Sequence, residues 1–145
     1  MRLLAFTLLL MAPSAKTFIV TVQTSGGITG GGSGGYTVAS SGAVELAGVR
    51  GKKCPGLVAP KASLAKLREA IERAKPAQWK PSYRTPQNPN GCCDQITTGF
   101  QLTVGSEAPR ATDWVDDSRG LLPADLAEVE QAAAAIAAAL REKCR

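Results

Sequence analysis

The stretch KTFIVTVQTSGGITGGGSGGYTVASSGAVEL, residues 16–46, decides how the chain is read. Its first third alternates: Phe18, Val20 and Val22 on one side, Ile19, Thr21 and Gln23 on the other. Period-two alternation of β-branched and aromatic residues predicts a strand over Lys16–Thr24 with one face buried. Its last third, Tyr36–Leu46, repeats the signal, with Ser41-Gly42 as a turn or bulge inside a second strand. Between them lie Gly26, Gly27, Gly30, Gly31, Gly32, Gly34 and Gly35. A phosphate cradle would join a strand to a helix and end on Lys-Ser/Thr. This tract joins strand to strand and lacks that ending, so it is read as a hairpin tip.

Outward from the hairpin, the punctuation is clear. Residues 47–62 carry glycines, Pro55 and Pro60, and read as loop. Ser63–Lys75 is predicted to be a helix with Ser63 as its N-cap. Leu64, Leu67, Ile71 and Ala74 mark one apolar face, and Pro76 ends it. Pro76–Gly91 holds no period and reads as a stiff loop pinned by Trp79 and Tyr83. Phe100, Leu102 and Val104 open a second hairpin that turns at Gly105–Pro109 and returns through Arg110–Asp117. Leu121–Cys144 reads as a long helix, started by Pro123. Asp125, Glu128 and Glu130 suit its positive end. Leu122, Leu126, Val129, Ala133, Ile136 and Leu140 form a single stripe. The order ββαββα predicts an α+β two-layer domain, a four-stranded antiparallel sheet with both helices on one face. Thr and Gln at alternate strand positions leave the other face open.

The N-terminus has a different character. One basic residue, Arg2, precedes the apolar run Leu3–Ala12, and Pro13-Ser14-Ala15 follows. That layout predicts a secretory signal peptide over residues 1–15, with residues 16–145 as the exported domain, periplasmic or extracellular. Four cysteines, Cys54, Cys92, Cys93 and Cys144, suit an oxidising destination and read as two disulfides. Adjacent cysteines rarely join each other, so Cys92 and Cys93 are expected to reach Cys54 and Cys144, in either order. No paired C-x-x-C spacing supports a zinc site.

Composition excludes much chemistry. The chain has no histidine, and therefore lacks the commonest general base and the commonest metal ligand. Asp113, Asp116 and Asp117 are clustered, but carboxylates beside a helix start read first as turn and cap residues. A net charge of +5 is scattered and not interleaved with aromatics, so no nucleic-acid surface is expected. No catalysis, cofactor or resident metal is expected. A monomeric binding module, with loops carried on a rigid scaffold, remains.

SGGITG (residues 25–30), the hairpin strand GFQLTV (residues 99–104) and the late helix beginning LPADLAEVEQ (residues 122–131) together resemble the emfourin family. The resemblance runs from about Thr17 to Leu140. Ile28 and Thr29 stand where that family has an aromatic-Ala pair, and the cysteines set this chain apart from its cysteine-poor named type. The resemblance implies a secreted proteinaceous inhibitor of a thermolysin-like zinc metalloprotease. It also implies that Ser25, Gly26, Gly27, Ile28, Thr29 and Gly30 meet the protease. Gly31–Gly35 would then be only slack that lets the hairpin close. The alternatives are a non-catalytic envelope or extracellular binding protein on the same scaffold, and a tip with no role.

Overall fold

A computed structural model describes residues 14–28, 34–48, 52–92 and 94–144. In chain order the elements are β1 (Phe18–Gly26), β2 (Gly35–Ala39), β3 (Ala43–Ala47), β4 (Lys53–Val58), α1 (Lys61–Arg73), β5 (Ser82–Tyr83), β6 (Ile96–Val104), β7 (Arg110–Val115) and α2 (Ala124–Leu140). Short 3-10 turns occupy Pro76–Gln78, Asp116–Leu121 and Arg141–Cys144. The strands form one sheet in the order β4-β3-β2-β1-β6-β7-β5.

The alternation seen in the sequence builds the core. Register places Val20 between Val38 and Leu102, and Val22 between Tyr36 and Phe100. All of these are buried, whereas Ile19 on the opposite face is 47% exposed. Leu67, Ala70 and Ile71 of α1 and Leu126, Val129, Ala133 and Ile136 of α2 join the same cluster. Both helices therefore cover one face, and the stripe of α2 is the one its spacing predicted. The other face carries half-buried Thr21, Thr37 and Thr103 beside exposed Gln23 and Gln101.

The α+β class holds, but the four-stranded antiparallel sheet does not: the sheet has seven strands and is mixed. Three local causes account for the difference. Gly42 has φ +91°, and its N–H donates to the Ala39 carbonyl at 2.9 Å. Ser41-Gly42 is therefore a reversal, and the expected second strand is two, β2 and β3. Lys53–Val58, read as loop because of Pro55 and Gly56, is the outermost strand. Proline is tolerated there because the outer side of an edge strand makes no ladder bonds, and the register shifts between Val44 and Leu46. Ser82–Tyr83 adds the one parallel pairing among the described residues, against Asp113 and Trp114.

The helix ends also move. Pro60, not Ser63, holds the N-cap position of α1, with no side-chain cap. Pro123 is the N-cap residue of α2 rather than its first helical residue, and the last turn beyond Leu140 is 3-10. Trp79 and Tyr83 are buried anchors, as expected. The Trp79 indole N–H donates to Asp125 Oδ2 at 3.0 Å, and the Lys75 N–H donates to the same oxygen at 2.8 Å. Burial opposes the Asp125 charge, but these donors outweigh it and hold its carboxyl below the usual range. Glu130, read as a helix-end charge, is instead buried and ion-paired to Arg119 at 2.9 Å. Arg119 also lies over the Trp114 ring.

The disulfide pattern departs from expectation. Cys54 pairs with Cys144, with Cα atoms 6.0 Å apart. This ties the outermost strand β4 to the residues after α2 and leaves neither cysteine for Cys92 or Cys93. Cys92 is also disulfide-bonded. Cys93 and the N-terminal residues 1–13, including most of the expected signal peptide, lie outside the described residues. Among the described residues no helix is long and apolar enough to cross a membrane.

Candidate functional site

The glycine tract sits at the end of the sheet where β1 stops. The pairing of β1 with β2 ends at Gln23 opposite Gly35, but β1 stays paired with β6 for three more residues. Ser25 lies opposite Thr97 and Gly26 opposite Ile96. At these residues β1 is held in the sheet by β6.

At that point the chain needs glycine. Gly26 has φ +85° and Gly27 φ +71°, values that cost an L side chain about 1–2 kcal/mol each. A Cβ on Gly26 would also stand 2.6 Å from the Gln95 carbonyl oxygen. The Gly27 N–H donates to that same carbonyl at 3.2 Å. Ile28 follows at 92% exposure. Ser25, Gly26, Gly27 and Ile28 are thus brought together on one braced turn, while Thr29 and Gly30 lie outside the described residues.

The return side is not slack. The Thr24 N–H and hydroxyl both donate to the Gly34 carbonyl, at 2.9 and 2.7 Å. Gly34 has φ +95°, and a Cβ there would be 2.1 Å from the Ala47 carbonyl oxygen. A Cβ on Gly35 would be 2.4 Å from the Val22 carbonyl oxygen. Gly34 and Gly35 are therefore required by backbone packing, which corrects the reading of Gly31–Gly35 as a passive spacer; residues 31–33 lie outside the described set.

A residue that sequence reasoning treated as a turn residue organises the base of the tip. The Gln95 side chain donates from Nε2 to Asp117 Oδ2 at 3.1 Å. Asn88 Nδ2 donates to the same oxygen at 3.2 Å, and the Ser118 hydroxyl donates to Oδ1 at 3.0 Å. Asn88 in turn accepts the Cys92 N–H at 2.8 Å. Gln95, just before β6, thus joins the tip through its carbonyl to Asp117 through its side chain. The amide-rich run QNPNGCCDQ (residues 87–95) was a signal for such a network, since amide donors seek a carboxylate. Asp113 is separately engaged, with Arg84 and the Ser82 hydroxyl each at 2.8 Å. The acidic cluster thus ties down the proline-rich segment at two points. Among the described residues no group of His, Cys, Asp and Glu is placed to hold a metal.

The hydrogen bond from Gln95, helped by those from Asn88 and Ser118, holds the Asp117 carboxyl below its ordinary value of 3.8. A depressed carboxyl stabilises the fold above its unfolded pKa, and the benefit is lost as pH falls through the folded value. The Gly27 amide is therefore expected to keep constant protection from neutral pH down to about pH 4. It should lose protection below that, together with protonation of Asp117. Hydrogen exchange read by NMR checks this. A Gly27 amide whose protection ignores acid would show that Asp117 does not brace the tip.

The open face of the sheet is also recessed. A shallow groove of about 420 Å³ runs over it, lined by Thr21, Gln23, Gly99, Gln101 and Asp113. Comparison with protein families, with curated proteins and with solved structures finds no match to this chain.

Proposed function

We propose that the chain is an exported inhibitor of a thermolysin-like zinc metalloprotease that presents the Gly26–Ile28 tip to the enzyme's cleft. The observation that carries the reading is the combination of a narrow glycine turn with a backbone held from behind. Protease clefts bind extended backbone through main-chain hydrogen bonds, the same pairing that adds a strand to a sheet edge. Here Gly26 is already paired with Ile96, and the Gly27 N–H already donates to Gln95. The tip can enter, but the residues before Ile28 are not free to lie fully in the cleft. A segment that binds without reaching the geometry for attack occupies the enzyme and is cut slowly. The resemblance of SGGITG to the emfourin loop supports the target class. The Cys54–Cys144 bridge is compatible with an oxidising compartment.

Purified protein is expected to abolish peptide hydrolysis by a thermolysin-type enzyme at micromolar concentration. Full residual activity across a panel of such enzymes would sink the proposal. The second reading, an extracellular binding protein without inhibitory action, draws on the polar groove of the open sheet face. It predicts a complex with a partner that is not a protease and whose formation is weakened by changing Gln23 or Gln101.

A further inference from the structure

We infer that a groove at the opposite end of β1 from the tip binds short apolar peptides with free termini. This site is independent of the inhibitor reading. β1 runs from Phe18 at the groove to Gly26 at the tip, so a nine-residue strand, about 25–30 Å, separates the two. The groove encloses about 620 Å³ between the second half of α1, the start of β1 and the turn after β6. That is the size of a small-molecule site. Its floor is apolar: buried Phe18 and Ile71 meet half-buried Val104 there. Its rim is charged with both signs. The α1 side carries Arg68 and Glu72, and the sheet side carries Lys16 and Glu107. These charges cancel, so a simple anion or cation gains little from the rim as a whole. A ligand with one charge of each sign and an apolar body is complementary to it.

The two charged groups on α1 suit such a ligand. The Arg68 guanidinium donates to the Lys16 carbonyl at 3.3 Å and to the Ser40 carbonyl at 3.1 Å, and it lies 5.2 Å from the centroid of the Phe18 ring. It is therefore held in place, and its planar fork has further N–H groups to offer a carboxylate. Glu72 has no partner among the described residues. Side chains four residues apart on a helix start about 6 Å from each other. A dipeptide spans a similar distance between its ammonium and its carboxylate, at about 3.3–3.6 Å per residue. With the carboxylate on Arg68 and the ammonium on Glu72, its apolar side chains lie over Phe18, Ile71 and Val104. The Lys16–Glu107 pair across the groove is 3.8 Å apart and largely exposed, a loose pair that can turn toward the same two ends. Ser14 and Ala15 also line the groove but bring neither charge nor bulk to it.

The experiment titrates the full chain with the dipeptide Leu-Leu, read by calorimetry and by NMR shifts of backbone amides. Binding is expected with a Kd of about 0.1–1 mM. Shifts should appear at Phe18, Ile71, Glu72 and Val104 and be absent at Gly27. The same dipeptide with both ends blocked, N-acetyl-Leu-Leu-amide, should bind at least about tenfold more weakly. Glu72→Gln should weaken Leu-Leu by about three- to tenfold without weakening N-acetyl-Leu-Leu, whose amine is already neutral. Its urea midpoint should match wild type, since Glu72 is exposed and unpaired among the described residues. Equal binding of the free and blocked dipeptides, or shifts that map away from the groove, would overturn the inference. So would an absence of binding at millimolar peptide, whether the groove is covered by a second copy, seen as amide shifts on dilution, or by residues 1–13, seen as NMR contacts to the groove. None of these outcomes touches the inhibitor proposal, which concerns the other end of the molecule.

Discussion

Replacing Cys54 and Cys144 together by Ser is expected to cost roughly 4 kcal/mol of stability. The two cysteines are 90 residues apart in sequence. In the chain-entropy account, a cross-link restricts the unfolded chain in proportion to the logarithm of the loop it closes, and this loop is long. The bridge also holds β4, which pairs with the sheet only through β3 and carries Pro55. Without the bridge, β4 is the first strand expected to open. The check is urea unfolding of the double variant against the oxidised wild type, with hydrogen exchange to report which strand loosens. A loss below about 1 kcal/mol would mean that the bridge adds nothing beyond what packing supplies.

The second large effect separates glycines that composition makes look alike. Gly34→Ala is expected to destabilise by roughly 3 kcal/mol. Positive φ costs about 1–2 kcal/mol, and moving Gly34 away from the Ala47 carbonyl disturbs the two Thr24 hydrogen bonds that the Gly34 carbonyl accepts, at about 1 kcal/mol per hydrogen bond. Gly27→Ala shares the positive φ, but its nearest neighbour is the Ile96 side chain at an ordinary 3.6 Å. It should cost only about 1–2 kcal/mol and, on the inhibitor proposal, weaken inhibition by disturbing the tip. Thermal or urea unfolding of both variants settles the contrast. Equal losses would mean that the close approach at Gly34 relaxes without cost.

The long elements were legible in the sequence because period and burial agree along them. Phe18, Val20 and Val22 announce the central strand, and the stripe from Leu126 to Leu140 announces α2. What was illegible depends on partners far away in sequence. Pro55 argues against a strand unless the strand is known to be outermost. Ser82–Tyr83 is a strand only because β7 lies beside it. The pairing of Cys54 with Cys144 follows from where the end of the chain lies against β4, which no local pattern states. The backbone mechanics of the glycine tract were not legible. The sequence pointed to Ser25–Gly30 through a short resemblance, and the structure describes Ser25–Ile28 of that stretch. It could not show that Gly34 and Gly35 are wedged against carbonyls 2.1 and 2.4 Å from a would-be Cβ. Nor could it show that Asp117 supports the tip through Gln95. Those roles are set by sheet register, which brings Ile96 beside Gly26.

The Cys54–Cys144 bond also makes residues 54–144 a covalent ring, with the first hairpin as a tail outside it. An inhibitor of the kind proposed would meet cuts in its exposed loops. A nick in the proline-rich segment between α1 and β6 falls inside the ring, so the two pieces stay joined and β5, β6 and β7 keep their neighbours. A nick at the tip falls outside it, and β1 would then be held by strand pairing alone. The ring therefore divides the chain into a part that survives cleavage by covalent closure and a part that must avoid cleavage by its own geometry. The tip belongs to the second.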